Sequence, residues 1–365
     1  MQPKSTVVHL PVYQPGKSSD DIKREYGLES VIKLASNENP YGSSPKVKQA
    51  LLDEMNNTSL YPDGAAVALT KAVAEHHGVD PNQIIFGAGS DEVILMICRA
   101  YLVQGDETIT ANQTFPQYKH NAEIEGAVVV EVPLKEGTHD LDAMLAAVTE
   151  RTKIVWICNP NNPTGTIVSH DEVAAFMERI PSHVLVVLDE AYCEYVTDES
   201  FPQALMLLAQ YPNLITLRTF SKIHGLAALR IGYGIGHADV IRTINQVREP
   251  FNTTRFAQAA ALASIQDTDF IERCKVNNAD GIRYLQTELA RLGFSSFPAH
   301  GNFIMVDTGM PGTAMFNLLL HKGFITRAGH QQYPNHIRIT VGRPEQNEQL
   351  IAALTQIVQE RKVTT

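Results

Sequence analysis

The sequence predicts an α/β protein with a seven-stranded, mostly parallel sheet in a large domain, followed by a smaller α+β domain. Between residues 82 and 236, short β-branched runs alternate with helix-like stretches, and such apolar strands are typical of a parallel sheet covered on both faces. After Gly236 the pattern changes to helices and then to short strands. A length of 365 residues also favours two domains.

One connection in the large domain differs from the others. Between Phe220 and Arg230 there is little room for a crossover helix, which a parallel neighbour would need. We therefore expect the last strand to be antiparallel. The seven predicted strands cover residues 84–86, 108–110, 128–132, 154–157, 184–188, 214–217 and 231–235.

The smaller domain is expected to have its own core, because its helices and strands form a separate α+β layer. Residues 1–40 have weak periodicity and are predicted to form an N-terminal arm and part of the small domain. The predicted division is 1–40, 41–265 for the large domain, and 266–365 for the small one. Predicted helices after the sheet cover 238–248, 255–265, 269–292, 313–321 and 345–361, and predicted strands cover 302–306 and 336–341.

Composition excludes several classes of partner. The net charge of −10 is the opposite of what a nucleic-acid or anionic-membrane binder needs. Apolar runs fall far short of the roughly 20 residues of a membrane span, and residues 1–9 lack an apolar signal core. The four cysteines form no C-x-x-C pair, and no H-E-x-x-H pair is present. We expect a cytoplasmic protein without a metal ion.

Polar residues follow the apolar strands at the positions where a ligand site is expected. In open α/β sheets, ligands bind at the carboxyl ends of the strands. The strand at 184–188 leads directly to Asp189, and the strand at 214–217 leads to Ser221 and Lys222. The strand at 154–157 leads to a loop containing Asn162. The sequence predicts that these side chains meet at one edge of the sheet.

Lys222 and Asp189 each have an ordinary and a functional interpretation. Lys222 could be a solvated surface lysine, or a desolvated amine that forms a Schiff base beside a phosphate clamp that includes Arg230. Asp189 could cap a helix or form a salt bridge. It could also face a protonated pyridine nitrogen, since a buried carboxylate needs a cationic partner.

The segment from Gly87 to Glu92 resembles a dinucleotide-binding loop, but Glu92 stands where the third glycine should be. A glycine turn that opens a helix still offers free backbone N–H groups, from about Gly89 to Asp91, to a single phosphate. A tight turn without a ligand is the alternative. The loop around Asn162 could likewise be a plain turn.

These residues belong to longer motifs, Asn162-Pro-Thr-Gly165, Asp189-Glu-Ala-Tyr192, Ser221-Lys222 and Arg230. In order and in spacing, the motifs resemble the signature of fold type I pyridoxal-phosphate aminotransferases. Three further stretches are Leu34-Ala-Ser-Asn-Glu-Asn-Pro40, Tyr61-Pro-Asp-Gly64 and Ile337-Arg-Ile-Thr-Val-Gly342. They resemble the histidinol-phosphate aminotransferase subfamily, and the likeness runs from about residue 13 to 342. Phe115 and Ala228 depart from residues common in the family, Tyr and Gly.

The resemblance implies a cofactor, pyridoxal 5'-phosphate, and a homodimer with shared active sites. Lys222 would form the Schiff base and transfer protons, and Asp189 would hold the pyridinium nitrogen. Asn162 and Tyr192 would contact the phenolic oxygen of the cofactor, and Phe115 would stack on its ring. Its phosphate would be surrounded by Ser90, Asp91, Ser221 and Arg230. Tyr61 would contact the phosphate of the cofactor in the partner subunit.

The resemblance further implies transamination of histidinol phosphate with 2-oxoglutarate. In the family, Arg338 would clamp the substrate carboxylate. A phosphate monoester carries nearly two negative charges and needs a cationic or hydroxyl-rich pocket, for which Arg327, with Tyr13, is our candidate; a surface salt bridge is the alternative for Arg327. Other functions remain open: an aromatic amino-acid aminotransferase, a decarboxylase of the threonine-phosphate type, a nucleotide-dependent oxidoreductase, or a binding module.

Overall fold

The computed structural model describes residues 1–12 and 19–364. Its strands are β1 (Ile32–Lys33), β2 (Ile84–Gly87), β3 (Glu107–Ala111), β4 (Val128–Val132), β5 (Thr152–Cys158), β6 (Leu185–Asp189), β7 (Leu214–Thr219), β8 (Gly232–Gly236), β9 (Ser295–Ser296), β10 (Phe303–Asp307), β11 (Phe324–Ile325) and β12 (His336–Thr340). Its helices are α1 (Ser19–Tyr26), α2 (Pro45–Glu54), α3 (Val67–His77), α4 (Ser90–Tyr101), α5 (Gln117–Ile124), α6 (Leu141–Ala146), α7 (His170–Arg179), α8 (Ala204–Leu208), α9 (Ala238–Asn245), α10 (Arg255–Ile265), α11 (Thr268–Arg291), α12 (Gly312–His321) and α13 (Pro344–Thr364).

A seven-stranded sheet forms the centre of the larger part, in the order β2-β8-β7-β6-β5-β3-β4. All neighbouring strands are parallel except β8, which is antiparallel to both β2 and β7. The connection from β7 to β8 contains only a 3₁₀ turn at Ala227–Leu229, so no helix crosses the sheet there. The seven predicted strands and the antiparallel last strand are confirmed.

Helices cover both faces of this sheet. All of β6 is buried, and its side chains alternate between two apolar clusters, with Val186 in one and Val187 in the other. Helices α2, α3, α6, α7, α8 and α10 contribute to the first cluster, and α4, α5 and α9 contribute to the second. This packing explains why the sheet strands are apolar at nearly every position.

The C-terminal part has a separate three-stranded antiparallel sheet in the order β12-β10-β9. A separate apolar cluster combines this sheet with α11, α12 and α13, and Leu34 also joins it. The N-terminal strand β1 pairs in parallel with β11, at Ile32–Phe324 and Lys33–Ile325. The segment that follows β1 lies beside β12, where Thr340 N donates to Leu34 O at 2.9 Å.

The predicted elements after the sheet are present, with ends that shift by a few residues. The helix expected over 238–248 ends at Asn245, after which Gln246 is its C-cap. Within the described residues, no helix is long and apolar enough to cross a membrane. All four cysteines are free thiols.

Candidate active site

Strand register brings the predicted polar residues to one edge of the sheet. Asp189 ends β6 and lies beside Cys158 of β5 and Leu217 of β7. The Asn162 loop follows β5, and Lys222 follows β7 by three residues. These carboxyl ends form the edge at which open α/β sheets bind ligands.

Lys222 is partly buried, and its amine lies between the large sheet and the N-terminal segment. Its Nζ donates to Ser36 O at 3.4 Å and lies 5.4 Å from the centre of the Tyr192 ring. Burial, with a further contribution from the positive charge of Arg338, lowers the pKa of Lys222 to about 8. The amine is therefore far more nucleophilic at neutral pH than a solvated lysine.

Asp189 is a buried carboxylate, with 3% of its surface exposed. Its Oδ2 accepts from Tyr118 OH at 2.6 Å, and its Oδ1 accepts from Ala191 N at 3.1 Å. Burial raises the pKa of Asp189 to about 6. No ion pair among the described residues includes Asp189, so Asp189 does not form a salt bridge there.

The ring of Tyr192 lies beside Lys222, and its hydroxyl contacts two amide side chains. Its oxygen accepts from Asn37 Nδ2 at 3.1 Å and from Asn162 Nδ2 at 3.4 Å. A phenolic oxygen that accepts two amide N–H groups keeps its own hydrogen for another acceptor. Burial raises the pKa of Tyr192 to about 12, so the hydroxyl stays a donor at neutral pH.

The glycine turn after β2 faces Arg230. Gly89 has φ +80° and is the N-cap of α4, and a Cβ added there would lie 2.5 Å from Arg230 Nη2. Arg230 also donates to Ser221 Oγ at 3.4 Å and to Asp91 Oδ2 at 3.3 Å. Guanidinium, hydroxyl and free helix N–H groups, including that of Ser90, thus converge on one small region.

Glu92 has a structural role in this turn. Its Oε2 accepts from Ala88 N at 2.6 Å and from Asn252 Nδ2 at 2.7 Å. The residue that breaks the dinucleotide pattern therefore closes the turn and fixes the start of α4.

Arg338 projects from β12 towards Asn162. Its Nη1 donates to Asn162 Oδ1 at 2.5 Å, its Nη2 donates to Ala35 O at 2.6 Å, and its guanidinium lies 5.4 Å from the centre of the Phe303 ring. Its Nε is buried and has no hydrogen-bond partner. No ion pair within residues 1–12 and 19–364 includes Arg338, although burial of a guanidinium normally calls for an anion.

Arg327 lies directly opposite Arg338 in an isolated antiparallel bridge. The two residues exchange backbone hydrogen bonds of 3.0 and 2.7 Å, so their side chains leave the same side of the bridge. Arg327 is exposed, and in the described part of the chain it forms no salt bridge. Like charges in directly opposed positions repel each other, and a bound anion would relieve that repulsion.

The remaining predicted residues lie in different surroundings. Phe115 packs edge-on against Tyr118, with 5.6 Å between ring centres. Tyr61 is 77% exposed and stacks on Phe251 at 4.6 Å. Tyr13 lies outside the described residues.

The sequence did not predict the roles of Tyr118, Asn37 and the Glu190–Arg218 ion pair in or next to the site. Tyr118 donates to Asp189, and Asn37, with φ +55°, donates to Tyr192. Glu190 accepts from Arg218 Nε at 3.1 Å and Nη2 at 2.9 Å, which ties β7 to the loop after β6. Two features of the sequence could have indicated these contacts. Asn37 lies in the stretch from Leu34 to Pro40, to which no role was assigned, and Glu190 directly follows Asp189.

Comparison with known proteins agrees with this geometry. The model of the family described as aminotransferase class I and II matches residues 29–354. A histidinol-phosphate aminotransferase of Brevibacillus brevis is 53% identical, covering 98% of this chain and 99% of the relative, and one of Bacillus subtilis strain 168 is 51% identical, covering 98% and 100%.

A solved structure gives the same result for the fold. The histidinol-phosphate aminotransferase of Sinorhizobium meliloti, in complex with pyridoxal-5'-phosphate, superposes with a TM-score of 0.91 at 29% identity and covers 98% of both chains. The fold is therefore that of a fold type I aminotransferase. The chain belongs to the aminotransferase class I and II family and, within it, to the same group as these histidinol-phosphate aminotransferases.

Proposed function

We propose that this chain catalyses pyridoxal-phosphate-dependent transamination of L-histidinol phosphate with 2-oxoglutarate, giving imidazole-acetol phosphate and glutamate, in histidine biosynthesis. One observation carries the proposal. Among the described residues, Asp189 is a buried carboxylate that forms no ion pair, and Arg338 is a guanidinium that forms none. Asp189 and Lys222 lie at the carboxyl ends of the neighbouring strands β6 and β7, and the charge of Arg338 acts on the Lys222 amine. Relatives that bear the histidinol-phosphate aminotransferase name over nearly the whole chain support it.

The residues fit pyridoxal 5'-phosphate. Asp189 would hold its ring nitrogen, because a pyridinium supplies the missing cation. Tyr192 and Asn162 would contact its phenolic oxygen, and Phe115 would cover the ring. Ser90, Asp91, Ser221 and Arg230 would surround its phosphate, with Arg230 as the main cationic contact.

When bound, the protonated pyridine ring supplies an electron sink for the bond that breaks at the substrate carbon. The chain supplies the acid–base groups. Lys222 Nζ removes the proton from the substrate Cα, and its lowered pKa keeps part of the amine neutral for this step. Tyr192 orients the reacting face by donating its free hydroxyl hydrogen.

The arginine pair would bind the substrate anion. Arg338 would grip the carboxylate of glutamate, and both Arg338 and Arg327 would contact the phosphate of histidinol phosphate, with Tyr13 assisting. A phosphate monoester carries nearly two negative charges, which two guanidinium groups on one side of a bridge match. Dual use of Arg338 explains how one site accepts both substrates.

We further propose a cytoplasmic homodimer with the domain division 1–40, 41–265 and 266–365. The separate C-terminal core and the β1–β11 pairing support this division. Tyr61, exposed within one chain, would reach the phosphate of the partner subunit's cofactor.

Hybrid dimers test the shared site. Mixing a Lys222→Ala chain with an inactive Tyr61→Ala chain creates dimers with one doubly defective site and one intact site, so activity should return. A Leu60→Ala chain, altered beside Tyr61, is the control and should be active alone. No recovery after demonstrated subunit exchange would argue against the partner role of Tyr61.

Borohydride reduction tests the cofactor assignment. The purified protein should be yellow, and peptide mapping after reduction should find the pyridoxyl label on Lys222. A Lys222→Arg variant should stay unlabelled, and a Lys153→Arg variant should be labelled as the wild type is. Label on another lysine would remove the assignment, and a higher kcat/KM for phenylalanine than for histidinol phosphate would favour an aromatic amino-acid aminotransferase.

A further inference from the structure

Tyr118 is the one side chain among the described residues that donates a hydrogen bond to Asp189. The phenol O–H donates to Oδ2 at 2.6 Å, and the other carboxylate oxygen accepts only the backbone N–H of Ala191, at 3.1 Å. Tyr118 is fully buried. A short bond from a buried hydroxyl to a carboxylate is of the strong, charge-assisted kind.

The phenol cannot easily turn away from Asp189. Its ring stacks on Trp156, with centres 4.9 Å apart and an angle of 11° between the planes. Trp156 Nε1 donates to Thr108 Oγ1 at 2.7 Å, and that hydroxyl donates to Ile154 O at 3.0 Å. The indole is thus anchored to β3 and β5, and it holds the phenol ring in one orientation.

The other groups around Asp189 do not stabilise its negative charge. Asp91 and Glu190 are acidic and raise its pKa, and Cys158 is a neutral thiol whose own pKa burial raises to about 12. Burial also raises the pKa of Tyr118 well above its ordinary value, so the phenol remains a neutral donor. Among the described residues, the hydrogen bonds that favour the ionised carboxylate come from Tyr118 and the Ala191 amide.

We propose that Tyr118 is a positioning residue that keeps Asp189 ionised and oriented towards the ring nitrogen of the cofactor. It thereby keeps the proton that Asp189 and this nitrogen share on the nitrogen. This proposal rests on the proposed function. The proton has two sites, the pyridine nitrogen and an Asp189 oxygen. A hydrogen bond donated to Asp189 makes the carboxylate less basic, so the proton stays on nitrogen.

A nitrogen-labelled cofactor reads the position of this proton directly. In Tyr118→Phe enzyme loaded with ring-¹⁵N pyridoxal phosphate, the ring-nitrogen NMR signal should move from the pyridinium position towards that of unprotonated pyridine. We expect kcat to fall roughly 10- to 100-fold, the equivalent of losing a hydrogen bond to a charged group, with KM nearly unchanged.

Tyr233→Phe is the matched control. Tyr233 is also buried, and its hydroxyl bonds to His77 at 2.9 Å, away from Asp189. Tyr233→Phe should lose about as much thermal stability as Tyr118→Phe, while its ring-nitrogen signal stays at the wild-type position. An equal displacement in both variants would show a general effect of packing and overturn the proposal.

A second variant covers poor folding of Tyr118→Phe. 4-Aminophenylalanine at position 118 is a weaker donor with nearly the same shape, so it should move the nitrogen signal part of the way towards that of unprotonated pyridine. An unmoved signal in the variants at position 118 would overturn the role of Tyr118 alone. If wild-type protein carries no cofactor on Lys222, the proposed function itself fails, which separates the two outcomes.

Discussion

The two ends of the candidate site carry opposite charges and differ in how they are enclosed. Asp189 lies in the large sheet, is 3% exposed, and accepts hydrogen bonds from two fixed donors. Arg338 lies in the three-stranded sheet beside the exposed Arg327, and its Nε has no partner. The carboxylate end suits a group that stays bound, and the arginine end suits substrates that must enter and leave.

The largest expected effect concerns the carboxylate end. Asp189→Asn removes the charge that would hold the ring nitrogen protonated, and breaking a buried charge pair costs roughly 3–5 kcal/mol, so kcat should fall by about 100- to 5000-fold. The fold should be retained, since amide and carboxylate have nearly the same shape. Steady-state kinetics and a thermal melt measure the two effects.

Asp198→Asn is a suitable control for this experiment. Asp198 is an exposed carboxylate that accepts from Ser200, so its loss should leave kcat unchanged. Near wild-type turnover in Asp189→Asn would mean that Asp189 does not hold the ring nitrogen, and the contrast between the two ends would lose its basis.

The carboxylate end was largely predictable from sequence. Asp189 ends the buried strand β6, Lys222 comes three residues after β7, and parallel strands bring their carboxyl ends to one edge. The antiparallel β8 followed from a short connection. Such local patterns fix which residues meet, because the register of a buried sheet is strongly specified.

The partners of these residues were not predictable in the same way. Tyr118 reaches Asp189 from α5, and Asn37 reaches Tyr192 from a segment 155 residues away in sequence. Both contacts depend on how helices and the N-terminal segment pack, which no local period encodes. The opposition of Arg327 and Arg338 likewise required the bridge between two short C-terminal segments.

The arginine end should give a smaller and substrate-dependent effect. Arg327→Ala should lower kcat/KM for histidinol phosphate by about 10- to 100-fold, as expected for one lost charge-assisted hydrogen bond, and much less for phenylalanine. Arg338→Ala should lower kcat/KM for both substrates, because both anions would contact it.

Arg242→Ala is the control, since Arg242 is exposed and pairs only with Asp239 in the described structure. It should leave both substrates unaffected. Equal losses on the two substrates in Arg327→Ala would remove Arg327 as the phosphate reader and leave Arg338 as the sole anion contact.

The smallest expected effect links the arginine end to Lys222 through charge. Burial and Arg338 lower the pKa of Lys222 from 10.5 to about 8, so the neutral, nucleophilic amine becomes more abundant as pH rises through 8. The rate at which apoprotein captures pyridoxal phosphate should therefore rise up to tenfold per pH unit below 8 and level off above it. Arg338→Ala removes a neighbouring positive charge and should move this midpoint to higher pH, whereas Arg242→Ala should not. Stopped-flow absorbance across this range measures the midpoint, and an unmoved midpoint in Arg338→Ala would mean that the two ends act independently on the amine.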